Sequence, residues 1–268
     1  MELKDDCTLG QRFENLINIM AELRGRNGCP WDKEQTHDTL RQYLLEESYE
    51  VLESIDRKNW TELREELGDL LLQIVFHAQI AAEGRKFDIS EVVDSITEKL
   101  IRRHPHVFGE VKIHTAEEQT IHWEKLKKRE GKDSVLDGVP IALSALLRAL
   151  RIQQKAASVG FDWPAEEPVW DKIQEEVEEL KIASQEKKHN WVEEEFGDLI
   201  FSLVNVSRFI GINPEDALRK TTEKFIDRFK KVEREFAEQG KDLNKASLEE
   251  MDAVWEKIKS DEVKFKDK

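Results

Sequence analysis

Glu46-Glu47-Ser48-Tyr49-Glu50 and Glu65-Glu66-Leu67-Gly68-Asp69-Leu70 decide the fold, because both strings return later in the chain. The first recurs as Glu175-Glu176-Val177-Glu178-Glu179 and the second as Glu194-Glu195-Phe196-Gly197-Asp198-Leu199, each at an offset of 129 residues. Further on, Glu98-Lys99-Leu100-Ile101 and Arg103 return as Glu223-Lys224-Phe225-Ile226 and Arg228 at an offset of 125, so the second copy lacks a short loop. Trp123-Glu124-Lys125 and Lys127 return as Trp255-Glu256-Lys257 and Lys259 at 132. Matches in one order at nearly one offset describe an internal duplication. Two domains follow, residues 1–131 and 132–268, joined near Gly131-Lys132-Asp133, where a charged stretch with glycine interrupts the helical pattern.

The spacing of apolar residues gives the class. Phe13, Leu16, Ile17, Met20 and Leu23 keep helical periodicity and stop at Gly25 to Pro30. Further helices are predicted over about Leu40–Ile55, Thr61–Ala82, Ser90–Arg103, Ala116–Arg129 and, opening the second half, Leu143–Ala157. No segment alternates with period two, and 37% charged against 39% hydrophobic residues, with few Gly and Pro, is the composition of amphipathic helices. The expectation is an all-α protein.

A formal charge of −15 disfavours nucleic acid and anionic membrane surfaces as partners. Cys7 and Cys29 are the only cysteines, too few for a disulfide framework or a zinc cluster, and a cytoplasmic setting is expected. The N-terminus has no apolar signal region, and the longest apolar stretch, Leu70 to Ala82, is broken by Gln73, His77 and Gln79, which argues against membrane insertion.

Antiparallel helices joined by a short turn bring together residues equidistant from it. With the first turn between Asp56 and Trp60, Glu50 should face Glu66 and Glu47 should face Asp69, both pairs centred on position 58. In the second half Glu179 with Glu195, and Glu176 with Asp198, are both centred on 187. Within each helix the acids are three apart and share a face. Four carboxylates should therefore converge in each half. Such a cluster is unfavourable without cations, yet no Lys or Arg stands three or four residues from Glu47, Glu50, Glu66 or Asp69, and Lys172 alone does so around Glu176, Glu179, Glu195 and Asp198. The missing countercharge points to a divalent metal. All-oxygen ligands favour a hard ion, Mg²⁺ first and Mn²⁺ second, over zinc. Gly68 and Gly197, inside their helices at matching positions, suggest close helix approach beside that face.

A carboxylate-held Mg²⁺ suits hydrolysis of a phosphoanhydride, and the cations to grip phosphate also recur: Lys99/Lys224 and Arg103/Arg228 lie four apart on one face, with Lys125/Lys257 two residues after Trp123/Trp255. A solvated acidic face and ordinary surface lysines are the competing readings, weakened by the duplication. His77, His104 and His106 have no counterparts in the second half and receive no chemistry.

The doubled acid motif, with Cys29-Pro30-Trp31-Asp32, Arg103-His104-Pro105-His106-Val107-Phe108-Gly109 and Val159-Gly160-Phe161-Asp162-Trp163, resembles the MazG family across essentially the whole chain. The acid motif alone is shared with a wider all-α pyrophosphohydrolase superfamily that includes dimeric dUTPases and phosphoribosyl-ATP pyrophosphohydrolases. The resemblance implies two tandem MazG-type helical domains whose four-helix core is completed in a homodimer. It also implies Mg²⁺-dependent cleavage of nucleoside triphosphates between the α and β phosphates, with broad base tolerance and a house-cleaning role. Carried onto this sequence, the metal ligands are Glu176, Glu179, Glu195 and Asp198, with Glu47, Glu50, Glu66 and Asp69 as the first-half set. The nucleotide contacts are Lys172, Glu175, Trp191, Glu194, Lys224, Arg228 and Trp255, and Lys257 joins them by its repeat. Glu175 or Glu176 is the candidate to take a proton from the attacking water, and Lys224 and Arg228 to stabilise charge on the phosphates. At the 129-residue offset the first half has Tyr43 for Lys172 and Glu62 for Trp191, so the second half should carry most of the hydrolysis.

Three rivals stand beside this reading. A relative restricted to dUTP or phosphoribosyl-ATP is one, and an acidic helical interaction protein without activity is another. A di-iron bundle is the third, and it lacks the Glu-x-x-His it requires.

Overall fold

In a computed structural model, residues 8–109, 115 and 134–266 are described, with side chains described to residue 262. The chain divides into two units, residues 1–113 and 114–268. The expected join at 131–132 lies outside the described residues, as do the predicted helix 116–129, Trp123, Lys125 and Lys127.

The first unit opens with α1, Leu9–Arg24, whose N-terminus is closed by a capping box: Thr8 accepts from the backbone of Gln11, and the Gln11 side chain reaches back. The short α2, Pro30–Glu34, follows with Pro at its first position. Then come α3, Arg41–Arg57, and α4, Trp60–Glu83, which form the antiparallel pair. Only Lys58 and Asn59 separate them. Lys58 is left-handed (φ 53°) and ends α3, while the Asn59 side chain accepts from Glu62 N and starts α4. The helix α5, Ile89–Arg103, begins at an Asp88 capping box, and α6, Pro105–Phe108, ends the unit. Met20, Leu40, Val75 and Phe76 form its core, with Phe13, Leu16, Ile17, Tyr43 and Leu72 packed against them.

The second unit repeats the plan: α7, Ala145–Ala157; α8, Glu167–Glu186; α9, His189–Phe209; α10, Pro214–Glu238; and α11, Leu248–Lys266. Its α8–α9 turn is Lys187-Lys188, again led by a left-handed lysine (φ 56°), at an offset of 129 from the first turn. Ser54 and Ala183 occupy the same place above the two turns, and both are fully buried, since small side chains let the paired helices close there. Val169, Val204, Val206, Val232 and Phe236 are buried in this unit, each contributing about 1.5–3 kcal/mol relative to exposure.

The helices over Phe13–Leu23, 40–55, 61–82, 90–103 and 143–157 stand within two residues of expectation at each end but one, α1 starting earlier, and there is no strand among the described residues. No described helix is long and apolar enough to cross a membrane.

Candidate metal centre

The turns do what their symmetry requires. In the first half one carboxylate oxygen from each of Glu47, Glu66 and Asp69 lies within 4.8 Å of the others. In the second half Glu176, Glu179 and Glu195 meet in the same way. The members differ: Glu47/Glu176 and Glu66/Glu195 are common to both, the first half adds Asp69, and the second adds Glu179, the counterpart of Glu50. Glu50 stays at the first cluster through a hydrogen bond with Glu47, whereas Asp198 is exposed and outside the tight group. Each of the four motif positions is thus in the tight group of one half or the other.

Electrostatics separates the two. Burial, then Asp69 and Glu50, raises the Glu47 carboxyl above its ordinary pKa; burial, then Glu50 and Asp69, does the same to Glu66. Among the described residues no Lys or Arg pairs with Glu47, Glu50, Glu66 or Asp69. The nearby Arg57 is taken by Glu53 and Glu62, and Arg64 by Glu65. In the second half Lys172 reaches Glu175 at 2.8 Å and Glu176 at 2.6 Å, and these hydrogen bonds hold its ammonium pKa well above the usual value. Glu176 is 3% exposed, so Lys172 supplies a countercharge to an otherwise buried carboxylate. Glu179 remains raised, by burial and then by Glu195 and Glu176, despite Lys172. The Trp191 indole donates to Glu195 at 2.6 Å and fixes that carboxylate.

The substitutions between the halves have visible consequences. Tyr43, in the place of Lys172, turns into the first core and meets Trp31 edge-on at 5.8 Å. Glu62, in the place of Trp191, accepts from Arg57 at 3.2 Å and from Asn59 at 3.0 Å, tying down the turn instead of a ligand.

The phosphate-binding candidates form a separate group on α10 and α11. Arg228 donates to Glu262 at 2.7 Å and lies 5.7 Å over the Trp255 ring; Phe225 covers another part of that ring at 5.1 Å; Lys257 pairs with Glu235 at 3.0 Å. Lys224 is exposed. Neither Lys224 nor Arg228 is ion-paired with the cluster acids in this chain. Glu194 is exposed beside Glu195. In the first half Lys99 lines a cavity of 310 Å³ with Phe87 and Glu91.

The expected close approach at Gly68 and Gly197 is not found: a Cβ at either would meet nothing within 4 Å. Both glycines face open space. Sequence reasoning also missed the stacked His37–His77 pair, with Nδ1 atoms 2.8 Å apart, and the role of Arg24, which spans Glu83, the Asp32 and Gln35 carbonyls and the Phe76 ring. Arg24 was legible only as the last residue of a helix.

Two carboxylate clusters on duplicated helical hairpins define an all-α protein with two groups of acids that could each hold a metal ion. Comparison with known proteins agrees: the model of the MazG nucleotide pyrophosphohydrolase domain matches twice, over residues 35–108 and 166–233. The chain is 48% identical over 253 residues to the nucleoside triphosphate pyrophosphohydrolase/pyrophosphatase MazG of Thermotoga maritima, covering 93% of this chain and 96% of that one. It is 44% identical over 259 residues to the nucleoside triphosphate pyrophosphohydrolase of Escherichia coli K12, 94% and 98% covered. It is also 45% identical to the Bacillus subtilis protein YabN over 97% of this chain and 54% of that one. The chain belongs to the MazG family.

Proposed function

We propose that the protein hydrolyses nucleoside triphosphates between the α and β phosphates, giving a nucleoside monophosphate and pyrophosphate, with its principal site in the second half. The observation that carries this is the Glu176–Glu179–Glu195 cluster with a lysine and a tryptophan built into it. Both clusters fit a hard divalent cation: their donors are all oxygens, and the carboxylates of the first lack a pairing cation. Mg²⁺, with Mn²⁺ second, would be held by Glu176, Glu179, Glu195 and Asp198, and by Glu47, Glu50, Glu66 and Asp69. When bound there, it would neutralise phosphate oxygens and acidify the attacking water.

The chain's own groups divide the remaining work. Glu175 or Glu176 accepts the water's proton, and Lys172, already bridging both, keeps them oriented. Trp191 holds Glu195 in place, and Glu194 lies beside it. Lys224, Arg228 and Lys257 stabilise charge on the polyphosphate, with Trp255 beside them. This requires the cations to leave Glu262 and Glu235 for the substrate or to act across a homodimer. A dimer is supported by the open apolar faces of the hairpins, where Leu67, Ile74, Phe196 and Leu203 are between 43% and 55% exposed. Two helices per half form half of a four-helix core. Broad base tolerance and a cytoplasmic house-cleaning role complete the proposal.

The test is pyrophosphate release from all eight common NTPs and dNTPs, with and without Mg²⁺, on the intact chain. Metal-dependent release from several bases is expected. Release from dUTP alone would mark a specialised enzyme, and no release from any would reject hydrolysis.

A further inference from the structure

Lys224, Arg228 and Lys231 fall four and three residues apart, so they form one stripe of α10. None of them lines the cavity of 570 Å³ that α7 and α9 enclose in this unit. The partner of two of them stands on α11. Glu262 accepts from Arg228 Nε at 2.7 Å through one carboxylate oxygen and from Lys231 Nζ at 2.7 Å through the other. It lies seven residues beyond Trp255, and two turns of helix put both on one face of α11. The two hydrogen bonds, that of Lys231 first, hold the Glu262 carboxyl below the ordinary carboxylate range.

The edge of the guanidinium that Glu262 takes decides what Arg228 can still do. A bond at Nε leaves free the end of the planar fork that carries Nη1 and Nη2. Among the described residues neither of those nitrogens has a hydrogen-bond partner. A second contact sets the plane: Arg228 Cζ sits 5.7 Å over the Trp255 ring, and Phe225 packs on that ring at 5.1 Å, with Phe229 stacked on Phe225 at 6.1 Å. One in-plane hydrogen bond and one face contact leave the guanidinium a single orientation, and its side chain is only 16% exposed. A solvated ion pair would contribute little. One that freezes a long side chain in advance removes part of the ordering cost of binding. The open Nη end is the end that matches two oxygens of a phosphate. An acid competing with phosphate would occupy that end instead.

We infer that Glu262 is a positioning residue: it holds Arg228 by Nε so that the Nη pair is presented to the polyphosphate, and it keeps that bond while Arg228 acts. This rests on the pyrophosphohydrolase reading above, and on its homodimer route, in which the arginine need not leave Glu262. The sequence carries the same pair twice. Arg103 corresponds to Arg228, and Glu130, seven residues after Trp123, corresponds to Glu262, although Glu130 lies outside the described residues.

The experiment is a double-mutant cycle on the full-length Mg²⁺-loaded chain: wild type, Glu262→Gln, Arg228→Ala and the two together. Glu262→Gln should lower kcat/KM for NTPs about tenfold, the effect of one charge-assisted contact, and should have no further effect once Arg228 is gone. Added guanidinium should restore part of the Arg228→Ala rate, and only while Glu262 is present. Equal losses in both backgrounds would mean that Glu262 merely docks α11, and a gain on Glu262→Gln would mean that it competes with phosphate; either overturns the assignment. One readout needs no variant. The Arg228 Nε–H resonance of wild type should keep its position on saturation with Mg²⁺ and inorganic tripolyphosphate, and its move to that of an exposed arginine overturns the assignment too. The same cycle followed by calorimetry with tripolyphosphate separates the two readings. Coupling in binding with no NTP hydrolysed rejects the catalysis and keeps Glu262, whereas hydrolysis with additive losses rejects Glu262 alone.

Discussion

In the first half Glu47, Glu66 and Asp69 meet beside Tyr43 and Glu62; in the second, Glu176, Glu179 and Glu195 meet beside Lys172 and Trp191. The helices, the turn and the offset are shared. The neighbours are not, and they decide what each cluster can do: one half leaves its acids mutually repelling and seals the space below them with core, while the other ties two acids to cations and donors and keeps a cavity open. A duplicated scaffold can thus keep an acid cluster in both copies and the equipment around it in one.

The widest separation should come from replacing the shared ligand. Glu176→Gln is expected to lower pyrophosphate release on the order of 10³-fold, while Glu47→Gln retains most of it; the reverse ranking would assign the principal site to the first half. Next is a transplant. Lys172→Tyr gives the second cluster the first half's neighbour, so KM for NTPs should rise about tenfold through loss of a charge-assisted contact. Mg²⁺ binding without nucleotide, followed by calorimetry, should tighten because a competing ammonium is gone; weaker Mg²⁺ binding would mean that Lys172 organises the acids more than it competes for them.

A third prediction concerns pH. Glu66 keeps its proton to higher pH in the folded chain than in the unfolded one, so in that window the folded state binds more protons and stability falls as pH rises. In chelator at pH 7, Glu66→Gln should therefore melt above wild type. The gap should close on acidification below the ordinary carboxylate pKa, and excess Mg²⁺ should reverse the order. A Gln variant that melts lower in chelator at pH 7 contradicts the uncompensated cluster.

The smallest effect is at Gly68. With nothing within 4 Å of an added Cβ, Gly68→Ala should stabilise the isolated chain by about 1 kcal/mol through helix propensity. Destabilisation accompanied by dissociation in light scattering would instead seat a second copy's helix against that face.

Most of the architecture could be read beforehand because it depends on periodicity and on counting from a turn. The centres at 58 and 187 anticipated turns at Lys58-Asn59 and Lys187-Lys188, and the convergence of acids followed. What counting could not supply was rotation of individual side chains. It placed Glu50 and Asp198 on the right face but could not tell that Asp69 and Glu179 would complete the tight groups instead. Nor could it find the cavity. Gln153 stands on α7, and Asn205 and Arg208 stand one turn apart on α9; only packing brings the two helices around one space of 570 Å³. Their signal, polar residues set into the apolar stripes of α7 and α9, was present but indistinct from ordinary surface positions. The motif Gly160-Phe161-Asp162-Trp163 carries part of the family resemblance, and nothing in its sequence shows that its two aromatic rings line one cavity.

The two-residue turn works as a ruler. One residue added between Lys58 and Trp60, or between Lys187 and His189, would advance the second helix by ~1.5 Å and swing it about 100° around its axis, scattering the acids without altering one of them. Chain length there is therefore as much a part of each acid cluster as any carboxylate, whereas composition is nearly free: Lys-Asn serves in one copy and Lys-Lys in the other.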